Sequence, residues 1–244
     1  MADALTIAVQ GMQNDMQRMD IISQNVVNSA TPGYRRALSA NQSFGEVLQN
    51  SAIPGADHSM AISLPAVTSF LDPAAGPVKS TGNPLDLAIN GEGYFELTTP
   101  EGPAYTRAGN FHIDASGHLV NQDGYAVSGE SGDIVSRDNN LSISSNGEIK
   151  DGGTTVGQLR IVSFADKHKL ETTMRGLLIP QGDNEATSVA APQLQIGYIE
   201  SANVVPLNEM INMLETSRHF ESQQKLFQGY DEQLSNAIQK LGQF

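Results

Sequence analysis

The chain of 244 residues has no cysteine and no tryptophan, and it sets only 14 lysines and arginines against 27 aspartates and glutamates, a formal net charge of −13. Without a thiol there is no disulfide framework, no thiolate nucleophile and no cysteine-ligated zinc. The shortage of basic residues excludes a surface that tracks phosphates, because nucleic-acid affinity rests on lysine and arginine. It also argues against docking on anionic lipid. No stretch is long and apolar enough to read as a membrane span, and no basic segment followed by an apolar one reads as a cleavable secretory signal. The expectation is a protein with no nucleic-acid partner and no membrane insertion.

Recognisable chemistry is equally sparse. Gly91-Glu92-Gly93 lacks a third glycine and runs into a strand rather than a helix, so it cannot seat a phosphate on a helix amino terminus. His112 and His118 flank one hairpin without a third ligand at suitable spacing. Asp114, Asp123 and Asp133 fall in turns and do not extend into a calcium loop. There is no nucleophile elbow and no paired-carboxylate motif. The expected catalytic, metal and cofactor sites are therefore none.

What the sequence does contain is order at its two ends. Leu5, Met12, Met19 and Val26 stand seven residues apart, the spacing of a heptad seam. Asp3 suits the start of this helix and Thr31-Pro32-Gly33 ends it, since a residue preceding proline is pushed out of the helical region. At the other end Met213, Phe220, Phe227, Leu234 and Leu241 repeat the same spacing. Pro206 suits a first helical turn, with Asn203 as the expected cap. Away from the seams both helices carry uncharged amides such as Gln10, Gln13, Gln223 and Gln224, which can be buried against a neighbour at lower cost than charges. The two seams predict that the helices pair with each other or with neighbouring subunits.

Between the ends, from Leu85 to about Gln195, short alternating apolar runs are punctuated by glycine turns, the pattern of antiparallel strands. Strands are predicted at Tyr94–Leu97, Ala104–Thr106, Asn110–Ile113, His118–Val120, Tyr125–Val127, Gly157–Phe164 and Gly176–Ile179. FHIDASGHLV (Phe111 to Val120) and LSISSNGEIK (Leu141 to Lys150) align without a gap. Each reads as strand, four-residue turn ending in glycine, strand. Ser39 to Asn83 and Gln181 to Ala191 read as extended or loop-like connections.

Four blocks resemble one family. NVVNSATPGY (Asn25 to Tyr34), NPLDLAINGEGYFEL (Asn83 to Leu97), AYTRAGNFHIDASGHLVNQDGYAV (Ala104 to Val127) and the stretch Gly197 to Glu232 are similar, in that order, to the bacterial flagellar rod and hook proteins. Within it the chain looks most like the proximal-rod type. Where the family often has Asn-Leu-Ala-Asn, this chain has Asn25-Val26-Val27-Asn28, keeping both amides and losing the small alanine.

The resemblance implies an α+β fold in which the long N- and C-terminal helices pair as a coiled coil in an inner layer around a channel. Residues 1–33 and 205–244 would form that coiled-coil domain, 34–82 and 181–204 the connecting arms, and 83–180 an inserted, mostly antiparallel β-rich outer domain. It implies a non-enzymatic subunit of the basal-body rod that transmits torque, with distal-rod or hook-type roles as the alternative and a rod-borne peptidoglycan hydrolase as a remote one. Its implied partners are other rod proteins, copies of itself and the flagellar type III export apparatus, with export without a cleaved signal to the periplasmic part of the basal body. The heptad residues of both helices would make the assembly contacts. Asn25, Asn28, Thr31, Pro32, Gly33 and Tyr34 would fix the corner from inner helix to outer arm.

Overall fold

The computed structural model describes residues 2–40, 68–137, 140–173 and 176–241. Part of the expected first arm, with Pro54 and Pro65, lies outside them. Two long helices bracket a β region: α1, Ala2–Val27, and α2, Pro206–Leu241. The chain divides into two compact units. One draws on Met1–Val26, Ala37–Ser69 and Pro206–Phe244, the other on Val27–Arg36 and Phe70–Val205.

The helix boundaries follow the sequence signals. After α1 a single 3-10 turn, Asn28–Ala30, leads to Thr31 at φ −78° and ψ 121°, the extended conformation a following proline imposes. Pro206 opens α2, where its missing N–H costs no helical hydrogen bond. Asn203 does not cap it in the expected way: its side chain accepts the Arg36 N–H at 2.6 Å and donates to the Ala74 carbonyl at 2.9 Å.

Among the described residues the expected long coiled coil is not found. Met12, Met19, Val26, Met213 and Phe220 are only half-buried, and Phe227 is 36% exposed. The side chains of Leu5, Leu234 and Leu241 lie outside the described residues. Among the described residues the buried helix positions are instead Asp15, Ile22 and Asn25 on α1 and Glu209 and Thr216 on α2. Asp15 and Ile22 are also seven apart, as are Glu209 and Thr216. Heptad spacing establishes that a stripe exists, but not which of several parallel lines turns inward. Here the inward line is largely polar because its groups find partners within the same unit. Asn25 donates to Glu209 at 3.3 Å, and His219 Nδ1 lies 2.7 Å from Asp15 Oδ2. Gly11 leaves room for the Gln223 side chain, which a Cβ there would strike. From Asn25 to Asp15 to Gly11 the partners climb from Glu209 to His219 to Gln223, so the helices run antiparallel at these contacts.

In the other unit the strands pair antiparallel throughout. The main sheet runs Leu170–Thr172, Leu178–Pro180, Gly102–Thr106, Tyr94–Thr99, Ala126–Gly129, Leu119–Val120, His112–Ile113, with Ile161–Phe164 adding to Tyr94–Thr99. Adjacent residues point to opposite faces, and both faces are covered. Phe95, Ala104 and Ile161 join a core with Leu87, Leu97, Leu119 and Ile149. Tyr94, Tyr105 and Val162 join a second cluster with Phe164 and Leu178. Edge-on ring pairs fix each cluster, Phe95 on Phe111 at 5.1 Å and Tyr105 on Phe164 at 4.9 Å.

Both halves of the sequence echo are hairpins of the same build. Asp114 and Ser144 each pair their N–H with the carbonyl four residues on, and Gly117 and Gly147 sit at φ 87° and 84°, a conformation open to glycine. Asn121 to Tyr125 and Thr173 to Leu177 repeat these backbone bonds around Gly124 and Gly176. The predicted strand Gly157–Phe164 divides, Thr154–Gln158 closing the second hairpin and Ile161–Phe164 entering the main sheet. Val78–Ser80 pairs with Tyr198–Glu200, both in the expected arms, and Leu87–Ile89, inside the expected β region but outside the strands predicted there, pairs with Leu194–Ile196 from the second arm.

Candidate functional site

Two constellations stand out, one in each unit. In the β-rich unit the corner Thr31 to Tyr34 is tied to the strand that ends near Glu200. Gly33 donates its N–H to the Glu200 carbonyl at 2.7 Å. Its φ of +68° and its closeness to the Arg107 and Ala108 backbone leave no room for a side chain. Tyr34 is buried with Ala202 and Val204, and its carbonyl accepts the Asn203 N–H.

Beside this corner lies a buried ionic knot. Glu200, 2% exposed, takes Arg35 on one carboxylate oxygen at 2.8 Å and Arg107 on the other at 3.3 Å. The first oxygen also accepts the Gly76 N–H at 2.9 Å. Arg35 donates to the Ala74 carbonyl, and Arg107 to those of Ile89 and Gly91. The Arg107 guanidinium also lies 5.4 Å from the Tyr94 ring centroid. Burial pulls Arg107 below its ordinary value while Glu200 opposes the change. Three separated stretches of chain therefore converge on the carboxylate carried by a fourth. Where they cross, a Cβ on Gly76 would collide with the Ser201 carbonyl.

In the helical unit, Asn25 is 1% exposed and reads the backbone of Ala37 with both ends of its amide, each at 2.8 Å. Asn28, which belongs to the β-rich unit, accepts the Thr31 N–H on its carbonyl and the Thr31 hydroxyl on its side chain. Asn25 thus ties its helix to the Ala37 backbone and the Glu209 side chain, and Asn28 ties to the Thr31 hydroxyl. Large apolar side chains, by contrast, face outward: Val9 and Met16 on α1, and Leu207, Met210, Ile211, Leu214, Leu226 and Tyr230 on α2. Leu226 is 70% exposed. An open apolar groove lies between Val9, Met12 and Met16 on one side and Phe220 and Phe227 on the other.

Of the residues expected from the sequence, the structure brings Met12, Phe220 and Phe227 together around this groove and places Thr31 to Tyr34 at the corner. Met19, Val26 and Met213 do not line it. The sequence reading missed Arg35, Arg107 and Glu200. The only local signal is an arginine directly after Thr31-Pro32-Gly33-Tyr34. Among the described residues no group of three or more histidine, aspartate or glutamate side chains could hold a metal ion. Nor is any described helix long and apolar enough to cross a membrane.

A double-sided β core, a locked corner and helices with outward apolar faces define a structural subunit built to contact other subunits. Comparison with known proteins gives the family. The profile "Flagellar hook protein FlgE/F/G D1 domain" matches residues 88–151, from within the strand Leu87–Ile89 to the end of the second hairpin strand. "Flagellar basal body rod FlgEFG protein C-terminal" matches 195–240. The chain is 31% identical over 261 aligned positions to the flagellar basal-body rod protein FlgG of Bacillus subtilis (strain 168), covering 98% of each. It is 25% identical over 246 positions to FlgF of Mesorhizobium japonicum and 27% over 257 to FlgF of Salmonella typhimurium, covering 99% of each chain in both cases. The chain belongs to the flagellar basal-body rod protein family. It is a structural subunit of the rod, not an enzyme.

Proposed function

We propose that this subunit occupies the proximal rod, joins copies of itself and other axial proteins through its two terminal helices, and transmits torque along the assembly. The observation that carries this reading is the outward apolar surface of both helices, where Leu207 and Leu214 are 66% and 61% exposed in the isolated chain. Burying one such side chain fully contributes roughly 1.5–3 kcal/mol, so several of them outweigh the cost of ordering the interface. The assembly residues are Leu5, Met12, Met19, Val26, Met213, Phe220, Phe227, Leu234 and Leu241, with Asn25, Asn28, Thr31, Pro32, Gly33 and Tyr34 setting the corner. In this reading the terminal helices carry the assembly contacts, residues 83–180 form the outer domain, and the arms join them.

The proximal position is supported by chain length, since the FlgF frame of Mesorhizobium accommodates this chain with few gaps. The higher identity to FlgG favours a second reading, a distal-rod subunit. In either case the chain leaves the cytoplasm through the type III export apparatus and assembles in the part of the rod that crosses the periplasm. A fold without cysteine needs no disulfide chemistry there. Locating a tagged chain along isolated basal bodies tests the assignment. A label at the membrane end of the rod supports the proximal reading, and one at the hook end supports the distal. A chain absent from basal bodies contradicts both.

A further inference from the structure

We propose that the cavity beside the Glu200 knot binds a single carboxylate group, carried by a small monocarboxylic acid or by an acidic side chain of another polypeptide. The site lies in the β-rich unit alone and does not depend on where the chain sits along the rod. Arg35, Arg107 and Glu200 line a cavity of about 310 Å³ together with Glu92 and Lys167. All five belong to that unit. In a chain with almost twice as many acidic as basic residues, this one space gathers three of the 14 lysines and arginines.

The charges inside it do not balance. Two guanidiniums share one carboxylate, so the knot keeps one positive charge in excess, with Arg35 and Arg107 only 4% and 6% exposed. The carbonyls of Ala74, Ile89 and Gly91 and the ring of Tyr94 solvate that charge but do not cancel it. Uncompensated charge is costly away from water, and a counter-charge within reach offsets the cost. Hydrogen bonding points the same way. Among the described residues neither Arg35 Nε nor Arg107 Nε has a partner, although both are donors of a guanidinium built to use all five of its N–H groups. Burial pulls Arg107 below its ordinary value, Glu200 opposes the change and Arg35 adds to it; a second carboxylate acts with Glu200.

The lining selects the ligand. At the rim Lys167 holds Glu92 at 2.6 Å, a pair of no net charge, with Glu92 exposed and Lys167 partly so. One excess positive charge therefore faces the ligand, which a monoanion neutralises and a dianion overshoots. A planar guanidinium also matches the two oxygens of a carboxylate. Val78 and Ile89 add apolar wall, and Asn90 and Gln195 add amides, which suit a short carbon stem better than a bare inorganic ion. The volume falls at the small end of ligand sites, roughly 300–1,000 Å³. Gly91 and Glu92, from a motif excluded as a phosphate loop because no helix follows it, thus supply the rim of a different anion site.

The test follows backbone and arginine Nε–H resonances of the isotope-labelled full chain at low ionic strength. The probes are sodium acetate and a glutamate blocked at its amino and α-carboxyl groups, with sodium chloride and sodium sulfate for comparison. The expected result is saturable shifts at Gly76, Gly91 and both arginine side chains with the carboxylates, weaker binding of sulfate, and only a linear drift with chloride. Glu92→Gln removes the like charge at the rim and should tighten acetate binding several-fold. Lys167→Gln leaves Glu92 unpaired and should weaken it several-fold. Both substitutions fall at the rim and leave the knot intact. Tighter binding of blocked glutamate than of acetate assigns the site to a side chain of another polypeptide, and equal or weaker binding assigns it to a free acid. No saturable shift, shifts no larger than those with chloride, tighter binding of sulfate, or an affinity unchanged by either rim variant would each overturn the carboxylate site. None of these outcomes bears on whether the chain is a rod subunit, which its localisation in basal bodies tests separately.

Discussion

Arg35, one residue past the corner that ends the amino-terminal segment, holds Glu200 at 2.8 Å, with both side chains almost wholly enclosed. A carboxylate so buried is tolerable because two guanidiniums and a backbone N–H surround it. Removing one partner of such a pair leaves buried charge uncompensated, at about 3–5 kcal/mol. Glu200→Ala should therefore destabilise the β-rich unit by about that amount. The chain has six tyrosines and no tryptophan, so urea unfolding followed by tyrosine fluorescence can measure it. A loss below about 1 kcal/mol would mean the knot contributes little.

Gly33→Ala should act at the same corner by a different route. A non-glycine residue in the left-handed region costs about 1–3 kcal/mol, and here the added Cβ also meets the Arg107–Ala108 backbone. The expected result is a lower midpoint of thermal unfolding with α2 helicity retained. Gly82→Ala, also at positive φ but with open space around it, should cost only the backbone strain. Equal effects at the two sites would contradict the close crossing at Gly33.

These contacts mark how far the sequence could be read. The turns were legible because Asp114, Asn121 and Ser144 each precede a glycine by three residues and use only local hydrogen bonds. The helix ends were legible through Pro32 and Pro206, which act on their immediate neighbours. Glu200 was not, because its importance comes from Arg35, Gly76 and Arg107, all distant in the chain. Leu87–Ile89 escaped because all three residues are buried, which erases the alternation that marks a strand. The inward line of the helices escaped because Asp15–Ile22 and Met12–Met19 have the same spacing, and hydrophobicity alone chose the wrong one.

Stability should fall toward both extremes of pH through identifiable groups. The backbone N–H of His118, at 2.8 Å, is the main cause holding the Asp114 carboxyl below its ordinary value, aided by that of Ser116. Its contribution is complete above the ordinary aspartate value of about 3.9 and is lost as pH falls through the lowered one. Burial, with Glu96 adding to it, pushes the Tyr105 phenol up. That contribution is complete below about pH 10 and is lost as pH rises through the raised value. Asp114→Ala should flatten the acid limb of a stability-versus-pH curve and Tyr105→Phe the alkaline limb. Unchanged limbs would assign the dependence elsewhere.

Amide exchange on the purified monomer should divide the chain sharply. Between Val9 and Val26 only Asp15, Ile22 and Asn25 are buried, so little apolar packing resists local opening of α1. Amides of Tyr94–Thr99, whose residues enter both core clusters, should exchange orders of magnitude more slowly. Protection of α1 equal to that of the sheet would mean that the helix is stable without neighbours.

The central claim, that the terminal helices are assembly surfaces on an independently stable β fold, is tested most directly by Phe220→Asp and Phe227→Asp. Each variant is expressed in cells lacking the native chain, and its incorporation into isolated basal bodies is measured beside the far-ultraviolet spectrum of the purified protein. The expected result is an intact β signature with incorporation and motility lost. A variant that enters the rod and supports normal swimming would contradict the claim.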